Sequence, residues 1–535
     1  MVYLHIFLTI VLAICGYVFQ KNGFKIVQPT STNRDLDRFD LFFCFLTAIM
    51  LSMYFFLNPF YKLSNHYVDN DPAVFIYIGQ RISEGFIPYL DLFDHKGIIL
   101  YLIQFLGVVL FPYRFIGIWL LELLNILVCV YYSIKTLKFV TKDRYLQYMC
   151  VLVAYVIIGG IFYNGGNYTE EFAMSGIAYA LYLFSKGHLE GRLSFTDSIG
   201  LGVSFAYVFF LRCNMVGIWA ILGLRYIYIK FQDQEYNDLK LFVVGGLIGV
   251  LLIVTPIMLY CLYTNSLQSM IESYFFFNLE YKDALIFDRT TIIKLILAYT
   301  ELYLFYILSF YLCSKHNTLF KLHFLAFITN LIFCSISGRP YWHYGMILVP
   351  TLVIVLAGGF EIIKFVLSKS ISPNKCIIFY RSIIIIVLFF IVGRIYQNNK
   401  ILMLDDITAY KGEKTYLSCY LEYRIINTDA IITYLKNNTK KEDDVLILAN
   451  NCMYYLLADR KTRNKYPYQV PPMYISNRIY DDFSNEFLNK KSDYVVNIKK
   501  YEYDYRYFDE FMKPYIENNM YRKNSFADFD VYIKN

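Results

Sequence analysis

Residues 65–97 read NHYVDNDPAVFIYIGQRISEGFIPYLDLFDHKG. Five acidic side chains, Asp69, Asp71, Glu84, Asp91 and Asp94, stand here beside His66, Arg81, His95 and Lys96. The stretch lies between two apolar runs, Leu41–Phe60 and Ile98–Phe111. Asp71-Pro72 is a helix start, with Asp as N-cap and Pro at the first helical position. An amphipathic helix over Ala73–Glu84 follows, and Gly85 can end it. Asp94 is in place to cap the run that starts at His95. A charge-mixed loop set against such apolar flanks needs a reason beyond capping.

The rest of the chain sharpens the contrast. Of its 535 residues 57% are apolar and only 17% charged, against roughly 25% charged in soluble proteins; mean hydropathy is +0.41. Repeated apolar runs of about 20 residues indicate an α-helical polytopic membrane protein. The net charge of +7 comes from Lys and Arg in short loops between these runs. There it sets orientation, so nucleic acid is not an expected partner. The eleven Cys are scattered, with no C-x-x-C pair. Only Cys419 and Cys452 fall in the polar C-terminal part, and a disulfide between them is open.

Counting basic loops gives a topology. Lys21, Lys25, Arg34 and Arg38 place loop 21–38 in the cytoplasm, so Leu41–Phe60 leads outward and the opening stretch is external. Ile98–Phe111 is short for a span. If it crossed, the loop carrying Lys135, Lys138, Lys142 and Arg144 would be external, against the positive-inside rule. If it lies along the outer surface or re-enters, that loop and every later basic loop are cytoplasmic. The second reading gives about 12 spans with external juxtamembrane helices. It makes Thr264 to about Arg289 a long external loop and Cys376–Ile395 the last outward crossing. Residues 1–396 form the transmembrane catalytic part. Residues 397–535 turn polar and read as a small external α/β domain, with strands over Val445–Ala449, Ser492–Ile498 and Asp530–Ile533.

The first external loop carries a resemblance. An acidic residue after a span, an aromatic helix, G-x-x-P-Y-x-D-x-F-D (Gly85–Asp94) and K-G (Lys96-Gly97) together resemble the first external loop of polytopic GT-C glycosyltransferases. The likeness is to glycosyltransferase family 39, with the protein O-mannosyltransferases and lipid A aminoarabinose transferases. The usual K-G-P reads Lys96-Gly97-Ile98 here. The resemblance implies that Asp71 is the catalytic base, with Asp69 as fallback. Weaker matches are Gly165–Glu171 (GGNYTEE), Arg212 in LRCN, and Ser337–Tyr344 (SGRPYWHY). They imply that Lys96, Arg339, His343 and Arg212 bind the donor phosphate. Asp91, Asp94, His95, Glu170 and Glu171 would position substrate. Each has a plainer structural reading: caps, helix-dipole acids, a snorkelling Arg and an interfacial aromatic belt.

The chemistry agrees with the resemblance. A carboxylate suits deprotonation of an acceptor hydroxyl or amine. A cation suits a phosphate leaving group. The expected function is transfer of a sugar from a polyprenyl-phosphate donor, with inversion, to a lipid, polysaccharide or protein acceptor. The reaction would occur on the external face of a bacterial inner membrane. No Walker A, H-E-x-x-H or metal-spaced His is present, and the resemblance implies an enzyme that works without a metal or other cofactor; a divalent cation held by oxygens of the Asp-rich loop is the alternative. The alternatives are a transporter or flippase of lipid-linked sugars, or a glycan polymerase. A transporter usually shows internal repeats and mid-span charges; here no 20–50-residue repeat is seen and the polar residues cluster at the external ends of spans.

Overall fold

The computed structural model describes residues 9–17, 35–55, 70–111, 116–163, 165–283, 307–313, 318–335, 341–370, 378, 428–450, 452–469, 472–490, 492–498, 514, 516, 521–526 and 529–534. Asp69, Arg339, Cys419 and the last expected span, Cys376–Ile395 save for 378, lie outside these. The chain folds into two compact units. The first holds Met1–Asn58, Trp119–Ile257 and Phe287–Gln397; the second holds Pro59–Ile118, Met258–Ile286 and Asn398–Asn535.

The first unit is helical. Its helices include Arg38–Phe55, Ile116–Leu137 (from Trp119), Thr169–Glu190, Phe195–Phe209, Gly217–Gln232, Tyr236–Tyr263 (to Ile257), Thr318–Ser335 and Val349–Ser370. Among the described residues, Ile116–Leu137, Tyr236–Tyr263 and His343–Phe365 are long and apolar enough to cross a membrane. Leu247, Leu251 and Leu252 of Tyr236–Tyr263 stay exposed, as side chains facing lipid would.

Local signals set the helix ends. Asp143 caps Arg144–Leu152, accepting from the Tyr145 and Leu146 N–H groups. Ser194 and Asp197 form a reciprocal capping box. Gly191, at φ 75°, ends Thr169–Glu190 in the left-handed region that glycine enters without penalty.

Polar contacts show which helix ends meet. Buried Asp40 accepts from Lys138 Nζ at 2.6 Å and Tyr148 OH at 2.8 Å. Thr141 Oγ1 donates to Glu361 Oε1 at 2.7 Å, and Lys364 pairs with Asp143. Lys186 pairs with Asp197, Lys230 with Glu235 and Asp238, and His188 meets Thr318. Lys135 sits 4.9 Å from the Tyr182 ring centroid, which joins these groups at one end of the unit. Asp40 and Lys138 therefore share an end.

The second unit joins the opening stretch to the C-terminal residues. Helices Asn70–Ser83 and Ile98–Leu110 pack closely at Gly79, where a Cβ would come within 2.7 Å of the Gln104 backbone. The expected external loop after Thr264 is instead mostly helical over Leu267–Asp283, with a π-helical turn at Glu272–Phe276. Its apolar residues alternate at helical spacing, so Phe277 can reach a buried core.

That core belongs to a four-stranded sheet: β1 (Val445–Leu448), β2 (Tyr494–Ile498), β3 (Tyr521–Ser525) and β4 (Phe529–Lys534), in the order β1-β2-β4-β3. β1 runs parallel to β2, with Val445 opposite Tyr494; the other pairs are antiparallel. β1 is buried throughout, as its unbroken apolar run requires. Helix Asn477–Lys490, with Ile479, Phe483 and Phe487 inward, lies in the crossover from β1 to β2. The core also takes in Phe93 from the opening stretch and Phe277. Phe93 N–H donates to Lys465 O at 2.7 Å, and Thr462 N–H to Tyr77 OH at 3.1 Å. β3 was not anticipated: YRKNS is too polar to stand out. Arg460 of YYLLADR closes the C-terminal end of helix Thr428–Asn438, donating to the Leu435, Lys436 and Thr439 carbonyls.

Candidate active site

In the second unit, the opening stretch builds a compact charged centre. Helix Asn70–Ser83 begins one residue before Asp71, so Asp71 lies within the first turn and is not the N-cap. Its Oδ2 stands 3.9 Å from Lys96 Nζ, and its side chain is 49% exposed. Helix Ile98–Leu110 starts after Gly97 without a side-chain cap, so Asp94 does not have the capping role its position suggested. Asp94 is instead 1% exposed and accepts from Tyr101 OH at 2.9 Å and Tyr468 OH at 2.6 Å. His95 Nδ1 lies 3.2 Å from Asp94 Oδ1.

Lys96 is itself buried; its Nζ is 3.1 Å from His95 Nε2 and 5.5 Å from the Phe75 ring centroid. Tyr89 OH donates to Lys96 O at 2.8 Å, and Lys96 N–H donates to Tyr101 OH at 3.1 Å. Asn278 Nδ2 donates to His95 O at 2.9 Å. Asp91 closes a turn: its Oδ2 accepts from Ile87 N–H at 2.8 Å, around Tyr89 at φ 67°. Its carboxylate is thereby committed to the backbone.

The environments divide the carboxylates. Burial alone would raise the Asp94 carboxyl. The Lys96 charge, then His95 and the Tyr468 hydroxyl, outweigh it and hold the carboxyl well below the usual range. Asp94 is a fixed anion with its oxygens occupied. Asp71 is the open carboxylate of the group, with a cation beside it. Burial and then the Lys96 charge lower the His95 pKa, while Asp94 opposes them.

The first unit holds a second constellation. Gly165, Gly166 and Asn167 have φ of 92°, 83° and 59°, a left-handed run that two glycines and an asparagine permit. It turns the chain into helix Thr169–Glu190. Glu170 pairs with Arg212, whose Nη2 donates to Tyr344 OH at 2.9 Å while the guanidinium lies 4.4 Å from the Tyr344 ring centroid. The His343 ring stacks between Tyr168, at 4.2 Å, and Tyr341, at 5.6 Å. Asn167 N–H lies 2.6 Å from both Glu171 Oε2 and Glu122 Oε1, and Asn125 Nδ2 donates to Glu171 O at 2.8 Å.

Structure thus brings Asp71, Asp94, His95 and Lys96 together, and separately Glu170, Glu171, Arg212 and His343. Sequence reasoning missed Tyr101, Tyr468, Asn278 and Glu122. Glu122 had a signal, an acid inside the apolar run IGIWLLELLNILVC; Tyr468 lies in the Tyr/Pro-rich segment after Arg460, but nothing local pairs it with Asp94, 374 residues away. Among the described residues, no three His, Cys, Asp or Glu side chains group to hold a metal. Cys452 is free and buried.

No known protein family matches the chain by sequence, and no curated protein does. Solved structures do. ArnT from Cupriavidus metallidurans, in the apo state and bound to undecaprenyl phosphate, superposes with a TM-score of 0.52 at 10% identity. The match covers 92% of this chain and 96% of that one. The chain therefore has an ArnT-like fold, as the resemblance of its first loop implies.

Proposed function

We propose that the chain is an integral-membrane glycosyltransferase that moves a sugar from a polyprenyl-phosphate donor to a hydroxyl or amine of a lipid, polysaccharide or protein. The observation that carries this reading is the open Asp71 carboxylate 3.9 Å from the Lys96 ammonium. A base and a cation so placed match the two charges that develop in the transfer. The likeness to a structure bound to undecaprenyl phosphate supports the donor class.

In the proposed reaction, Asp71 takes the proton of the acceptor hydroxyl. The acceptor oxygen bonds to the anomeric carbon from the face opposite the phosphate. The bond from that carbon to the phosphate oxygen breaks, and its electron pair leaves with the polyprenyl phosphate. Lys96 stabilises the charge gathering on that oxygen. A single displacement inverts the anomeric carbon. Lys96 supplies the charge stabilisation in this proposal, and no metal ion takes part in the step. Asp69 stays the second candidate for the base. Arg212, Arg339 and His343 are proposed phosphate ligands on their cationic chemistry, although Arg212 already has a carboxylate partner. The site and the C-terminal domain are proposed to face outward, because the basic loop 21–38 stands one apolar run before the opening stretch and the basic residues before Cys376–Ile395 stand one run before residues 397–535.

The test is purified protein in lipid nanodiscs, given a polyprenyl-phosphate donor with a radiolabelled sugar and an envelope extract as acceptor. The expected result is release of free polyprenyl phosphate with label on the acceptor. Donor that stays intact while crossing the bilayer of sealed vesicles would make the protein a transporter and overturn the reading.

A further inference from the structure

His95 is held more firmly than a lysine neighbour requires. Its carbonyl is fixed by Asn278, and its ring lies against Tyr281 and Phe277, each with centroids 5.3 Å away. The two ring nitrogens face opposite charges. Nε2 is 3.1 Å from Lys96 Nζ, and an ammonium only donates, so Nε2 must be bare. Nδ1 is 3.2 Å from Asp94 Oδ1 and has no hydrogen-bond partner of good geometry. A lone pair on Nδ1 would face a carboxylate; a proton there faces it favourably. Both ends select one form of the ring, neutral with its proton on Nδ1. Asp94 cannot swing away, because Tyr101 from one side and Tyr468 from the C-terminal domain both donate to it.

We propose that Asp94, clamped by Tyr101 and Tyr468, fixes His95 as the Nδ1–H tautomer, so that its bare Nε2 holds the Lys96 ammonium beside Asp71. His95 is then a positioning residue for Lys96. The C-terminal domain is a working part of the site through Tyr468. The role of Lys96 at a leaving phosphate rests on the glycosyltransferase reading; the hold on its ammonium does not.

The geometry makes a particular demand on Asp94→Asn. An amide N–H turned to Nδ1 would move the ring proton to Nε2, setting N–H against the ammonium and releasing Lys96. His95→Gln places a carbonyl near the position of Nε2, an acceptor that has no tautomer to lose.

The experiment is pulse acylation of the protein in nanodiscs with an amine-reactive ester. The rate at Lys96 is read by peptide mass spectrometry, and lysines remote from the site serve as controls. Asp94→Asn should speed Lys96 labelling about 10- to 100-fold, the loss of one hydrogen bond to a charged group. Tyr468→Phe should give a smaller rise in the same direction. His95→Gln should label as slowly as wild type, His95→Leu should not, and Asp94→Asn/His95→Gln should match His95→Gln alone. Equal acceleration by Asp94→Asn in both backgrounds would mean that Asp94 only supports the loop, and would overturn the proposal. If Asp94→Asn fails to fold, Tyr468→Phe and the His95 pair decide the matter: unchanged labelling in Tyr468→Phe, or equal labelling in His95→Gln and His95→Leu, contradicts it. No sugar donor enters this assay. A wild type that transfers nothing but shows these rates removes the glycosyltransferase reading and leaves this one standing.

Discussion

Replacing Arg212 by Gln would leave Glu170, 3% exposed, without its counter-charge. The sequence offers Arg212 as a phosphate ligand, whereas the structure engages it with Glu170 and Tyr344. Removing one partner of a buried ion pair costs about 3–5 kcal/mol, because the other charge is stranded. Loss of the guanidinium over the Tyr344 ring adds roughly 0.5–2 kcal/mol. Removing both charges, in Arg212→Gln/Glu170→Gln, strands nothing and should recover most of the loss. The assay is denaturation of each variant by sodium dodecyl sulfate in mixed micelles, followed by circular dichroism. A large drop for the single variant with recovery in the double one supports a closed structural pair. A loss below about 1 kcal/mol is the mark of a solvated pair. It would refute the reasoning for a closed pair and strengthen Arg212 as a proposed phosphate ligand.

Burial, and then the Lys96 charge, lower the His95 pKa in the folded protein. Below a pH of about 6.5 the unfolded chain binds a proton there that the folded one does not. Stability therefore falls as pH drops from about 6.5 toward the folded pKa and is flat above; His95→Gln should remove that share of the slope in denaturation midpoints. Arg460→Met orphans the carbonyls that end helix Thr428–Asn438, at a cost of about 1–3 kcal/mol for each one left buried and unpaired. It should be visible as early proteolysis of the C-terminal domain. In a background without native cysteines, Lys142→Cys should resist a membrane-impermeant thiol reagent in intact cells, while Lys441→Cys should react. External labelling of Lys142→Cys would restore Ile98–Leu110 as a full span.

The helices were legible because each apolar run is long and punctuated by charge. The positive φ of Gly85 ends helix Asn70–Ser83 as its sequence suggested. Long-range contacts were not legible. Asp94 read as a cap from its neighbours, but two tyrosines, seven and 374 residues away, claim its oxygens. Capping depends on sequence-adjacent N–H groups, whereas burial depends on the tertiary fold, and burial decided here. Asp71 shows the reverse. Its competing roles, cap or base, are separated only by where the helix begins, and a start at Asn70 frees the carboxylate.

The central claim is that Asp71 is the base of a sugar transfer. The most direct measurement is the single-turnover rate of transfer from a polyprenyl-phosphate sugar by wild type and Asp71→Asn, with donor binding measured separately on the same preparations. Loss of a general base predicts a rate lower by about 10²- to 10⁴-fold, with donor binding nearly unchanged. An unchanged transfer rate in Asp71→Asn would contradict the account, and a loss confined to Asp69→Asn would move the base by two residues.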